Sequence, residues 1–101
     1  MISAIETAEK YGYLSPVELA SKLGLKIIRK DNPVLPGVRV YAELSGKEII
    51  IYPASSGMNE DLLILHEIYH HLAGENWLLS EDDADDWAEE YMRVVSGKQP
   101  D

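Results

Sequence analysis

The sequence predicts an α+β fold. A small antiparallel sheet of about three strands packs on a helix carrying His66-Glu67-Ile68-Tyr69-His70 and on a following C-terminal helix, with two short N-terminal helices in front. Three observations predict it. Apolar residues recur at spacings of three and four before Leu25 and again after Asn59, the period of a helix. Between Leu25 and Tyr52 the period becomes two, the alternation of a strand. The ionisable pentapeptide sits inside the most apolar run of the chain, Leu62 to Leu72, where such side chains need a purpose.

At 101 residues the chain is read as one domain, 1–101, with a single core. No apolar stretch approaches the roughly 18 residues that a membrane span requires. No positively charged, apolar leader is present, so a soluble, cytoplasmic protein is expected. The absence of Cys excludes both a disulfide framework and a thiolate site, and leaves His and carboxylates to hold any metal. With 18 acidic against 9 basic residues, a formal net charge of −9, binding to a phosphate backbone is disfavoured, and neither nucleic acid nor membrane is an expected partner. Much of the acidic excess is Glu81, Asp82, Asp83, Asp85, Asp86, Glu89 and Glu90, a run that reads mainly as a solvated helix face.

The first helix is expected over Ile2 to Tyr11, with Ala4, Ile5, Ala8 and Tyr11 inward and Gly12 closing it. Ser15-Pro16-Val17-Glu18 then offers an N-cap, a proline at the first helical position and a capping-box Glu. Leu19, Ala20 and Leu23 face inward and Gly24 is the stop. Two short helices across the turn from Gly12 to Ser15 are weak evidence for a helix-turn-helix, and the acidic balance opposes that reading.

Leu25, Ile27 and Ile28 form a short strand, followed by loop at Asp31-Asn32-Pro33 and Pro36-Gly37. Val38, Val40, Ala42 and Leu44 alternate with Arg39, Tyr41 and Glu43, and Ser45-Gly46 connects them as a hairpin to a strand over Lys47 to Tyr52. The continuous triplet Ile49-Ile50-Ile51 predicts a strand covered on both faces.

Asn59 is an N-cap, with Glu60 and Asp61 complementing the helix N-terminus and Gly74 ending a helix buried nearly all round. The last helix takes Ser80 as N-cap and presents Ala84, Trp87, Ala88, Tyr91 and Val95 inward, with Gly97 and Pro100 ending it. Trp77 and Leu78-Leu79 read as core beneath the turn between these two helices.

On a helix, His66 and His70 stand one above the other, with Glu67 about 100° round the same edge. Two imidazoles one turn apart suit a catalytic zinc, which takes three protein ligands and leaves a position for water. Glu67 between them can take a proton from that water. Extending the apolar face of the last helix back by three residues lands on Glu81, so in an antiparallel pair joined by Gly74 to Leu79 this carboxylate approaches the two imidazoles. Glu81 is favoured as third ligand over Asp83, which caps, and Asp85, which is marginal in direction; neither alternative is eliminated. His71 lies roughly 140° from His66 and is expected to be partly exposed.

The order of elements resembles the zinc peptidases of the ImmA/IrrE family. It runs through the strand Gly46-Lys47-Glu48-Ile49-Ile50-Ile51, then His66-Glu67-Ile68-Tyr69-His70, then Glu81-Asp82-Asp83-Ala84-Asp85-Asp86-Trp87-Ala88. The likeness covers roughly Ser15 to Tyr91, and its E-x-x-A-x-x-aromatic-A segment is more specific than the pentapeptide alone. It implies a minimal zincin-like, gluzincin-type domain with Zn2+ as cofactor, His66, His70 and Glu81 as ligands and Glu67 as general base. The implied activity is a zinc metallo-endopeptidase acting on a regulatory protein such as a transcriptional repressor, in phage or mobile-element settings. The chain departs from the family pattern at Tyr69, where Gly is common, at Asp85, where Asn is common, and in the continuation Tyr91 to Val95.

An extended substrate would lie along the Lys47 to Tyr52 strand if that strand is at the sheet edge. Tyr41, Tyr52, Tyr69 and Tyr91 are the candidates to stabilise an oxyanion, and the sequence does not choose among them. Two other readings stand beside the peptidase. One is a zinc-binding but proteolytically inactive protein that captures a partner. The other is an interaction domain in which His66, His70 and Glu81 form a hydrogen-bonded cluster without metal.

Overall fold

The computed structural model describes residues 3–30, 42–52, 59–74 and 81–98, the side chains of Glu81, Asp82 and Lys98 excepted. Seven elements follow in order: α1 (Ala4–Tyr11), α2 (Pro16–Lys22), β1 (Lys26–Arg29), β2 (Ala42–Ser45), β3 (Glu48–Ile51), α3 (Glu60–Ala73) and α4 (Glu81–Lys98). The α+β class expected from the sequence is thus observed, with four helices and a three-stranded sheet. Among the described residues no helix is long and apolar enough to cross a membrane. The expected strand residues Val38 to Tyr41, the loop residues 31–37 and 54–58, the cap Ser80 and the cluster Trp77 to Leu79 lie outside the described residues.

Local chemistry sets the helix ends. Ser3 caps α1, its hydroxyl accepting the Glu6 N–H at 3.2 Å. Ser15 caps α2 twice over, accepting the Glu18 N–H at 3.3 Å and donating to the Glu18 carboxylate at 2.9 Å. Both helices stop in the same way. Gly12 and Gly24 take the left-handed φ of 80° and 78° that a side chain resists. The residue after each donates back across the last turn, Tyr13 to the Ala8 carbonyl and Leu25 to the Ala20 carbonyl, both at 2.8 Å. These closures turn the chain sharply out of α1 and deliver Leu25, buried, to the start of β1. One expectation fails: Ile5 is 45% exposed and Thr7 takes the buried position beside Ala4 and Ala8.

The sheet is mixed, which corrects the antiparallel expectation. Its order is β1-β3-β2, with β1 parallel to β3 (Ile27 opposite Ile49) and β2 antiparallel to it (Leu44 opposite Ile49). The hairpin turn is Gly46-Lys47, one residue later than expected, because Ser45 still pairs with Glu48. Gly46 at φ 60° supplies the positive φ that a two-residue hairpin turn needs at its first position. β3 is flanked on both sides and buried on both faces, as the Ile49-Ile50-Ile51 triplet implies. The condition for laying a substrate along it is therefore not met; among the described residues the outer strands are β1 and β2.

α3 packs on α2, on β2 and β3, and most extensively on α4, while α4 also covers α1. Every residue from Glu60 to Ala73 is buried or half-buried. On α4 the expected inward face, Ala84, Trp87, Ala88, Tyr91 and Val95, is buried throughout. The helix runs through Gly97 to Lys98 rather than ending at Gly97. Trp87 stacks on Tyr91 with centroids 5.5 Å apart and meets Tyr69 of α3 at 5.8 Å.

The Tyr91 hydroxyl donates to the Leu14 carbonyl at 2.7 Å and ties α4 to the turn between α1 and α2. Burial, and secondarily the negative charge of Glu18, push this hydroxyl up to about 12 from 10.0. Replacing Tyr91 by Phe leaves the Leu14 carbonyl without its donor and is expected to cost about 1–2 kcal/mol in chemical denaturation at neutral pH. Up to pH 10 the folded and unfolded chains both keep the phenolic proton. Above it the unfolded chain loses the proton first, so wild-type stability declines as pH rises towards 12, and the Phe variant lacks this part of the decline.

Candidate metal centre

α3 is amphipathic only in a limited sense, since each of its residues is buried or half-buried. Asn59 starts it, accepting the Asp61 N–H at 2.8 Å, and Gly74 ends it at φ 74°. Within that frame Leu63, Ile64, Leu65, Ile68 and Tyr69 are core residues, and the polar side chains of the pentapeptide share the remaining surface. Glu67 is only 7% exposed. A carboxylate that far from water is stable only when its charge is compensated or its oxygens are hydrogen-bonded.

The imidazoles of His66 and His70 meet edge to face, centroids 4.8 Å apart, and their Nε2 atoms are separated by 3.1 Å. The second ring nitrogen of His66 is engaged separately: Nδ1 lies 2.8 Å from Oδ1 of Asp85 on α4. An ionised carboxylate only accepts, so in this contact Nδ1 of His66 is the donor. Two nitrogens bound tetrahedrally to one zinc at about 2.0–2.1 Å stand about 3.3–3.4 Å apart. The observed pair is close to that spacing, and both are imidazole nitrogens of the kind zinc takes.

Among the described residues no group of three or more His, Cys, Asp or Glu is placed to hold a metal ion. Glu81, expected as third ligand, begins α4, and its side chain lies outside the described residues. Of the two alternatives, Asp83 is exposed. Asp85 is committed to Nδ1 of His66, on the far side of the ring from the nitrogen that faces His70. Its role as a partner of His66 was missed in the sequence, although a signal exists: Asp85 follows Glu81 by four residues, one helical turn along the same face.

Tyr69, which departs from the family pattern, is a core residue. Buried to 6%, it fits between the His70 ring at 6.0 Å and the Trp87 ring at 5.8 Å. His71 is half-buried, as expected. Among the oxyanion candidates, the Tyr91 hydroxyl is committed to the Leu14 carbonyl, and that of Tyr52 donates to Glu43 at 2.9 Å. The Glu43 hydrogen bond, with burial and the Glu43 charge behind it, raises the Tyr52 hydroxyl above its ordinary value. Tyr41 lies outside the described residues.

No family model, no curated protein and no solved structure matches this chain.

The buttress role of Tyr69 predicts that substituting Gly, the residue common in the family pattern, destabilises the protein. Loss of the buried ring is expected to cost about 3 kcal/mol and a helical glycine about 1 kcal/mol more. Denaturant titration of the Tyr69→Gly and Tyr69→Ala variants separates the two contributions.

Proposed function

We propose that the protein is a zinc-dependent metallo-endopeptidase of the ImmA/IrrE kind, acting in the cytoplasm on a repressor-like regulatory protein. The observation that carries the proposal is the pairing of the His66 and His70 Nε2 atoms at 3.1 Å on a helix that also buries Glu67. His66 and His70 would hold the ion through Nε2, with Glu81 as third ligand. A zinc ion so held supplies Lewis-acid polarisation of the scissile carbonyl and acidifies the attacking water.

The remaining work falls to the chain itself. Glu67, buried and with few water molecules to compete for its charge, accepts the proton of the attacking water and returns it to the leaving amine. Asp85 orients His66, and Tyr69 with Trp87 holds the His70 side of the helix in place. The acidic surface favours encounter with a neutral or basic partner.

Protein purified without chelator is expected to carry about one equivalent of tightly held zinc, and EDTA should lower its melting temperature. Glu67→Gln should retain the ion while losing at least about 100-fold in hydrolysis of a protein substrate. Less than about half an equivalent of zinc, with a melting temperature indifferent to EDTA, would sink the metal reading. Full zinc loading with a biological output unaffected by Glu67→Gln would turn the protein into a zinc-binding, non-hydrolysing capture module.

A further inference from the structure

Among the described residues β1 is an outer strand, with β3 on its inner side. The Lys26 N–H donates to the Lys47 carbonyl at 2.8 Å and the Lys30 N–H to the Ile51 carbonyl at 2.9 Å, so Lys26, Ile28 and Lys30 turn their backbone groups towards β3. Ile27 and Arg29, at the alternate positions, turn theirs outward. An edge of this kind is a template for one more strand. β1 packs on α2, and its ion pair to α3, Arg29 with Glu60, lies at the first residue of that helix, before the histidines.

Side chains along the strand alternate in face. Ile27 and Arg29 share the face of Ile49 and Ile51, where Ile27 packs on the core and the Arg29 guanidinium is taken up by Glu60. Lys26, Ile28 and Lys30 occupy the other face, both lysines exposed and Ile28 half-buried. Lys22 ends α2, and Lys47 meets Lys26 through the backbone; both side chains are exposed. In a chain of formal net charge −9, this corner carries an excess of lysine. The carboxylate closest in register, Glu48, stands opposite Lys26 on the inner side of the strand.

We propose that the outer edge of β1 receives an extended acidic segment of a partner protein, which adds as a further strand with carboxylates opposite Lys26 and Lys30 and an apolar residue opposite Ile28. Recognition then follows the two-residue period of a strand, acidic and apolar side chains alternating along one face of the segment. The proposal goes beyond the peptidase reading and stands whether or not α3 holds a metal. Charge selects this occupant over two others. A second copy pairing antiparallel about Ile28 would set Lys26 against Lys30, and like charges directly opposite destabilise a ladder. A nucleic acid has no row of N–H and C=O groups to match the edge, and the net charge opposes a phosphate backbone. The same net charge repels a uniformly acidic partner at long range, so the segment belongs to a partner that is neutral or basic as a whole.

The test is fluorescence anisotropy of the full chain with a labelled peptide centred on Glu-Thr-Val-Thr-Glu, and with a charge-reversed peptide centred on Lys-Thr-Val-Thr-Lys. The acidic peptide should bind the chelator-treated and the zinc-treated chain alike and shift the amide NMR signals of Ile27 and Arg29. The double variant Lys26→Glu, Lys30→Glu should bind it about 10-fold more weakly and should gain affinity for the basic peptide. N-methylation of one alternate set of peptide amides should abolish binding, and N-methylation of the other set should leave it. This last comparison uses the wild-type chain, so it decides the matter even if the double variant folds poorly.

No binding of the acidic peptide, undiminished binding to a folded double variant, or indifference to both methylation patterns would overturn the proposal. Amide shifts confined to β2 would defeat it equally. A concentration-dependent dimer that protects the β1 amides would give the edge to a second copy, and tighter binding of a thymidine oligonucleotide at Lys26 and Lys30 would give it to nucleic acid. Peptide docking on β1 in a chain that holds no zinc would uphold the docking edge while removing the metal reading.

Discussion

Almost everything in this molecule answers to the burial of α3. A helix with no fully exposed residue must satisfy two requirements at once: its apolar residues need partners in several directions, and its ionisable residues need compensation with little help from bulk water. The first requirement explains the layout. The Ile49-Ile51 face of the sheet, α2 and the Trp87–Tyr91 side of α4 supply the walls. The second explains why Glu67, His66 and His70 are gathered on one helix edge, where each can be met by a polar group from a neighbour, as His66 is by Asp85.

α4 links these two requirements. Its inward stripe closes the core, Tyr91 anchors it to the α1–α2 turn, and Asp85 on its flank reaches the His66 imidazole of α3. The aromatic series Tyr69, Trp87 and Tyr91 runs from beside His70 into the core, so the histidine edge of α3 is continuous with the packing that stabilises the fold. The sheet adds a different asset. Among the described residues its outer strands are short, and β1 is bounded by the exposed charges of Lys26 and Arg29, the latter paired with Glu60 at the start of α3. Charges at such an edge discourage pairing with other chains.

Much of this was legible in the sequence because it is local. Ser15 with Glu18, Gly12 and Gly24 define helix ends through chemistry within a few residues, and the three-and-four spacing from Ala84 to Val95 marks one buried face whatever lies opposite. The inaccuracies arise where the deciding partner is distant. Alternation identifies the faces of a strand but not its neighbours, so the parallel pairing of Ile27 with Ile49 was invisible. Ile5 has helical spacing, yet its direction meets no wall and Thr7 is buried instead. Asp85 was weighed as a ligand by its angle on the helix; its partnership with Nδ1 depends on where the His66 ring lies, and no angle on a wheel reports that.

The bond between Tyr91 and Leu14 spans 77 residues, and it carries a consequence for how the molecule is made. Contacts so far apart in sequence carry a high loop-closure cost and form only when most of the chain has already condensed. The helix that closes the structure is also the one that bears Asp85 and begins at Glu81. The contact between His66 and Asp85 therefore forms only once α4 has docked on α3, so the surroundings of the histidine edge are completed in the same late step that completes the core.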